Sequence, residues 1–311
     1  MSSGVLQAAL AYAIWGLFPL YFRLVSEVSP LDIVVYRSLW SLVFVMAVLA
    51  VLRRWTWLRE VARHPRTLGL FALSALLLSA NWLVYVWAVN NGRVVDSSLG
   101  YFITPLVNVL LGYFVLKERP RRVQWCALAL AAAGVLWLTV AAGTLPWVGL
   151  VLAATFGLYG LMRKTAPLGA LEGLTLETLL LAPLAASLLA WRMTQGASDL
   201  KLDAPMFALL ALSGPLTALP LLLFAAGARR IPMATLGVLQ YIAPTLQFAL
   251  GVWLFREPFT GPRLIGFTLI WLALVIYTAE GWLTMRRREP SSHVAPVVPA
   301  PGSKAANEPG L

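Results

Sequence analysis

The sequence predicts an all-α integral membrane protein with ten transmembrane helices, arranged as two inverted five-helix repeats. Three observations carry this prediction. Apolar runs close to the ~20 residues needed to cross a bilayer core recur along the chain. Basic residues gather in alternate loops. A segment beginning at Tyr101 recurs in a second version at Gln240.

Composition sets the class. Of 311 residues, 60% are hydrophobic and 12% charged, about half the charged share of a soluble domain. The net charge of +11 does not imply nucleic acid, because the basic residues punctuate apolar segments instead of forming one patch. A lone cysteine, Cys126, cannot form an intramolecular disulfide. Both histidines, His64 and His293, fall outside the apolar runs, and there is no HExxH sequence. No cofactor or metal is expected. The expected partners are the lipid bilayer and a small-molecule substrate, with no nucleic acid; oligomeric state is not legible.

The predicted helices cover 4–24, 33–52, 68–89, 98–116, 123–142, 147–162, 171–191, 205–228, 234–255 and 264–283. The first has no basic residue before it and no small-residue cleavage site after it, so it reads as a retained helix. The sixth is the shortest. One set of alternate loops carries Arg53, Arg59, Lys117, Arg121, Arg163, Lys164, Arg229, Arg230 and Arg286 among others, sixteen Lys and Arg in all; the opposite set carries six, including Arg23, Arg192 and Arg263. The positive-inside rule puts the richer set and both termini in the cytoplasm. The expected location is the inner (cytoplasmic) membrane. Residues 289–311, rich in Pro, Ala and Ser, read as a disordered cytoplasmic tail.

The repeat is specific. YFITPLVNVLLGYFVLKERP at 101–120 aligns with QYIAPTLQFALGVWLFREPF at 240–259, pairing Pro105 with Pro244, Asn108 with Gln247, Gly112 with Gly251 and Glu118 with Glu257 at an offset of 139. Trp15-Gly16-Leu17-Phe18 likewise matches Phe156-Gly157-Leu158-Tyr159. An offset of five helices, an odd number, inserts the second half upside down. The expected units are residues 1–142 and 147–285. Inverted repeats are a recurring design of secondary transporters, in which rocking of one half against the other opens a midplane site to either side. There is no GxxxxGK[ST] loop to bind a nucleotide, so the driving force is expected to be a gradient or exchange. A structural or regulatory membrane protein and a membrane-embedded enzyme are the competing readings. The apolar runs contain no His and no Ser/Lys or paired-carboxylate arrangement, which argues against the enzyme.

The segments WGLFPLYF at 15–22, NWLVYVWAVN at 81–90, SLGYFITPLVNVLLG at 98–112, ERPRRVQW at 118–125, YGLMRK at 159–164 and LGVLQYIAPTLQF at 236–248 together resemble the EamA group of the drug/metabolite transporter superfamily, and within it the RarD family. The resemblance spans nearly everything except the tail. It implies ten helices in two EamA repeats and a permease of the cytoplasmic membrane. It brings no substrate.

Candidate pathway residues follow from helical spacing and polarity. Tyr101, Pro105, Asn108 and Gly112 share one face of the fourth helix; Gln240, Pro244, Gln247 and Gly251 share the matching face of the ninth. Pro105 and Pro244 are expected to kink their helices. Asn81 and Tyr85 are i, i+4 neighbours on the third. The same residues would also suit a packed interface in which amides bond between helices. Arg37 and Glu177 are the clearest charges inside spans, where charge is costly. At ~1.5 Å rise per residue their depths differ by roughly 13 Å, so separate partners are expected. Glu177 is the candidate for a coupling proton, because burial disfavours an ionised carboxylate.

Overall fold

The computed structural model describes residues 3–53, 55–91, 94–143, 147–194, 203–254 and 261–288. Glu257, Arg256 and the tail 289–311 lie outside the described residues.

The described chain is helical throughout: α1 (Ser3–Gly16), α2 (Phe18–Leu24), α3 (Pro30–Leu52), α4 (Thr56–Ala62), α5 (Pro65–Asn90), α6 (Val94–Phe114), α7 (Arg122–Ala142), α8 (Trp147–Thr165), α9 (Ala170–Thr194), α10 (Ala204–Ala228), α11 (Met233–Gln240), α12 (Ile242–Ala249), a π-helical segment (Leu250–Leu254) and α13 (Gly261–Arg288). Seven helical stretches are long and apolar enough to cross a membrane: α1 with α2, then α3, α5, α7, α9, α10 and α13. Their outer faces expose leucine and valine, for example Val51, Leu76, Leu136, Val140, Leu184 and Val275. Apolar patches of that extent on a folded surface mark contact with something other than water. The protein is therefore a multi-pass membrane protein.

The stretches outside those seven, α6, α8 and α11–α12, are central. α6 packs on α8, α11 and α7; α1 packs on α10, α11 and α12; α5 packs on α8 and α9; α3 packs on α10 and α9; α7 packs on α13. A helix surrounded by protein can carry Gly, Asn, Gln and Thr at its contacts, and this lowers its apolarity.

Helix ends sort into two layers. At one end Arg192, closing α9, pairs with Asp32, opening α3, at 2.6 Å. Trp87 and Trp147 meet at 5.3 Å in the same layer. At the other end Arg121 pairs with Glu280 at 2.7 Å, and Arg230 Nη1 donates to Ser3 Oγ and Gln7 Oε1.

Three features depart from the sequence expectation. The first predicted helix breaks at Leu17, because Pro19 lacks an N–H and its ring clashes with the carbonyl four residues back. The ninth breaks at Tyr241, three residues before Pro244, and ends in π geometry. The loop after α3 folds into α4, whose Trp57 and Val61 pack on Leu49, Phe71 and Leu176. Seven residues with only that i, i+4 apolar pair give too weak a period to read. Pro105, by contrast, sits within the continuous helix α6.

Candidate functional site

A cavity of about 250 Å³ opens among the central helices, near the small end of ligand pockets, which run roughly 300–1,000 Å³. α2 contributes Phe18, Pro19 and Phe22. Asn81, Trp82 and Tyr85 come from α5, and Gly100, Tyr101 and Thr104 from α6. Gln240, Ala243, Pro244 and Gln247 come from α11 and α12. All of these lie from mid-helix toward the layer holding Asp32 and Arg192.

At its base Trp15 and Phe156 meet edge to face, with ring centroids 5.8 Å apart. Below them the bundle is tight. Asn108, 1% exposed, donates Nδ2 to Gln240 Oε1 at 3.0 Å. A Cβ on Gly237 would stand 2.6 Å from the Pro105 carbonyl oxygen, so only glycine lets α11 run this close to α6. The far end is then sealed by polar contacts. The Glu118 carboxylate accepts from the backbone N–H groups of Met233 (2.9 Å) and Ala234 (3.3 Å), the orphan donors at the start of α11. Lys164 lies 3.9 Å from Glu118 and donates to the carbonyls of Ala228 and Ile231. Arg229 Nη1 donates to the carbonyls of Ala166 and Leu168 after α8. Basic side chains that the sequence assigns only to topology thus also cap helix ends.

Of the predicted pathway residues, Asn81, Tyr85, Tyr101, Gln240 and Gln247 line the cavity. Asn81 Nδ2 donates to the Leu152 carbonyl and to Thr155 Oγ1, both at 2.9 Å. Gln247 Nε2 donates to the Trp15 carbonyl at 3.2 Å. Asn108 lies beneath the floor. Arg37, 5% exposed, stands beside the cavity with its guanidinium carbon 3.0 Å from the centroid of the Trp82 ring.

Glu177 is fully buried, away from the cavity. It accepts from Ser74 Oγ at 2.5 Å and from the Tyr159 hydroxyl at 3.3 Å, and lies 3.7 Å from Arg163 Nη1. The charge count placed Arg163 in a cytoplasmic loop. Instead α8 runs on to Thr165 and buries it, 1% exposed. The sequence held a signal for this pair: on antiparallel neighbours, the last turn of α8 and the second turn of α9 fall at similar depth.

Long apolar helices around a cavity that opens toward one end and is sealed at the other define a polytopic membrane transporter. The chain belongs to the EamA-like transporter family, within the RarD group. The EamA-like transporter family matches residues 2–140. An uncharacterized transporter of Pseudomonas aeruginosa is 46% identical over 285 residues, covering 91% of this chain and 96% of the relative. Protein RarD of Streptomyces exfoliatus is 46% identical, covering 92% and 91% of the two chains, and protein RarD of Escherichia coli is 40% identical, covering 91% and 96%. A solved crystal structure with 20% identity superposes with a TM-score of 0.65 over 89% of this chain and 98% of that one, which marks a shared fold.

Proposed function

We propose that the protein is a secondary transporter of the inner membrane that carries a small organic metabolite or drug by alternating access between two inverted repeats, residues 1–142 and 147–285. The observation that carries this reading is the one-ended cavity, open beside Tyr85 and Tyr101 and closed beneath Gln240. In the proposed orientation both termini are cytoplasmic and the cavity opens to the periplasm.

The packing supports the inverted repeat. Exchanging the halves turns the α1–α10 contact into α8–α5, and α6–α8 into α11–α12 against α1; each of these pairs packs. Individual residues follow. Gly157 packs against Val107, while its repeat mate Gly16 packs against Leu246, the mate of Val107. The Tyr241 hydroxyl donates to the carbonyl of Phe102, 139 residues earlier, as expected of mates beside a pseudo-two-fold axis.

The repeat then supplies the second state. Applying the offsets to the present walls takes Phe18 to Tyr159, Phe22 to Arg163, Tyr101 to Gln240 and Gln247 to Asn108. Tyr159, Arg163 and Asn108, sealed here, would line the opposite cavity, and Gln240, at the floor of the present one, would face both. Opening it separates Arg163 from Glu177, which makes Glu177 the candidate to take up a coupling proton. The test is solute counterflow in proteoliposomes. Saturable exchange is expected, blocked when Gly157→Leu wedges α8 from α6. Absence of flux for every solute in a broad metabolite panel would sink the transport reading.

A further inference from the structure

Within the described part of the bundle, the buried carboxylates Asp32 and Glu177 and the partly buried Glu118 each have a cation. Asp32 has Arg192 at 2.6 Å, Glu177 has Arg163 at 3.7 Å, and Glu118, at the closed end, has Lys164 at 3.9 Å. Arg37 breaks the pattern. It is 5% exposed, and among the described residues it has no carboxylate partner. Its Nε makes no hydrogen bond. Its surroundings are the Trp82 ring and, near enough to feel its charge, Tyr21, Tyr85 and Tyr101.

Guanidinium holds its proton under all physiological conditions, so this charge does not relieve its burial by neutralising. A cation–π contact offsets part of the lost hydration but supplies no counter-charge. Elsewhere on the cavity wall a second buried donor is unpartnered: the Tyr12 hydroxyl, 1% exposed, beside Trp15 and Phe224. Buried donors without acceptors are rare unless something else meets them.

Arg37 reaches the cavity through Trp82, Tyr85 and Tyr101, and the wall says what kind of molecule would meet it. Trp15, Phe22, Trp82, Tyr85 and Tyr101 give it broad aromatic faces, and about 250 Å³ is far more than a small inorganic anion fills. We propose that the cavity binds an organic anion, its carboxylate drawn to Arg37 and its apolar or aromatic body held among these rings. This deepens the transport reading above and rests on the same cavity. It also accounts for the lack of a carboxylate beside Arg37 among the described residues: a pre-placed acid would neutralise the attraction, whereas a cation without one stays poised for a substrate.

The experiment uses the full chain in phosphatidylcholine nanodiscs, which present no anionic headgroup. The probes are phenylacetate, phenylacetamide and inorganic phosphate, tested on the wild type, Arg37→Lys and Arg37→Met. Phenylacetate should raise the wild-type Tm by several degrees through mass action, and the isosteric amide and phosphate should not. Arg37→Lys should keep part of that shift and Arg37→Met none. In the absence of ligand Arg37→Met should melt at or above the wild type, since it removes an uncompensated charge; a structural Arg37 would make it melt lower. Equal shifts from amide and carboxylate in the wild type, an equal shift from phosphate, or a full phenylacetate shift in Arg37→Met would each overturn the proposal. The wild-type comparison decides the matter even when Arg37→Met does not fold. Counterflow of labelled phenylacetate separates the two readings. Binding without flux keeps the anion site and removes the transport role; flux that ignores the carboxylate does the reverse.

Discussion

The side-chain amide of Gln247 donates to the main-chain carbonyl of Trp15 at 3.2 Å, and Pro19 is the reason that carbonyl is available. In an unbroken helix the N–H at position 19 would take it. Proline has none, and in a membrane a freed carbonyl must find another donor or a wet cavity. Here it finds an amide from the other half of the chain. Gln247→Leu should therefore destabilise the protein by about 1 kcal/mol, within the range measured for hydrogen bonds between membrane helices. In a Pro19→Ala background, where the helical N–H returns, most of that penalty should vanish. A double-mutant cycle on unfolding in mixed micelles measures the coupling.

The Arg163–Glu177 pair gives a prediction of opposite character. Both side chains are at most 1% exposed. Arg163→Met strands a buried carboxylate and should cost about 3–5 kcal/mol. Combining it with Glu177→Gln should recover much of that loss, because the neutral amide carries no charge to strand and can accept from Ser74 through its oxygen while its NH2 donates to the Tyr159 hydroxyl oxygen. Thermal denaturation of the single and double variants in nanodiscs checks the order.

Glu177→Gln alone tests coupling. If Glu177 takes the transported proton, flux in proteoliposomes should persist on exchange but lose its dependence on an imposed pH gradient. Unchanged pH dependence would assign Glu177 to structure only.

What the sequence made legible, and what it did not, follows the range of the interactions. Helix positions and the polar faces of α6 and of α11–α12 rest on periodicity within one segment, so Tyr101, Gln240 and Gln247 could be picked out. The depth argument likewise separated Arg37 from Glu177, and the structure gives Glu177 other partners: Ser74, Tyr159 and Arg163. The burial of Arg163 depended on how far α8 extends, and a helix boundary drawn three residues short turned a buried ion-pair partner into a loop charge. Asn108 and Gln247 are mates in sequence yet differ in exposure to the cavity. Sequence symmetry is blind to which side of the bundle is open.

Glycines separate packing from propensity. A Cβ on Gly214 in α10 would stand 2.5 Å from the backbone of Trp40 in α3, and backbone cannot swing aside. Gly214→Ala should lower stability by about 1–3 kcal/mol, the usual range for overpacking. Gly69, in α5, has nothing within 4 Å of the same position. Gly69→Ala should instead be neutral or stabilising by up to about 1 kcal/mol from helix propensity. Tm shifts of opposite sign are the expected readout.

The asymmetry between Asn108 and Gln247 offers the most direct test of the proposed alternation. Cys126 is exposed and must first be replaced, for example by Cys126→Ser. In that background Gln247→Cys, on the cavity wall, should react with a small charged thiol reagent added from the open side. Asn108→Cys, beneath the floor at 1% exposure for the native residue, should be protected in the state described. If the halves exchange roles, conditions that drive turnover should expose Asn108→Cys, and only to reagent on the opposite side. The Glu118 cap on α11 holds that side shut, so adding Glu118→Gln should weaken the contact with the Met233 and Ala234 amides and speed the labelling. Labelling of Asn108→Cys from the same side as Gln247→Cys would mean one continuous cavity and no alternation. Protection of Asn108→Cys under every condition, with Glu118→Gln present, would make the floor a permanent packed interface.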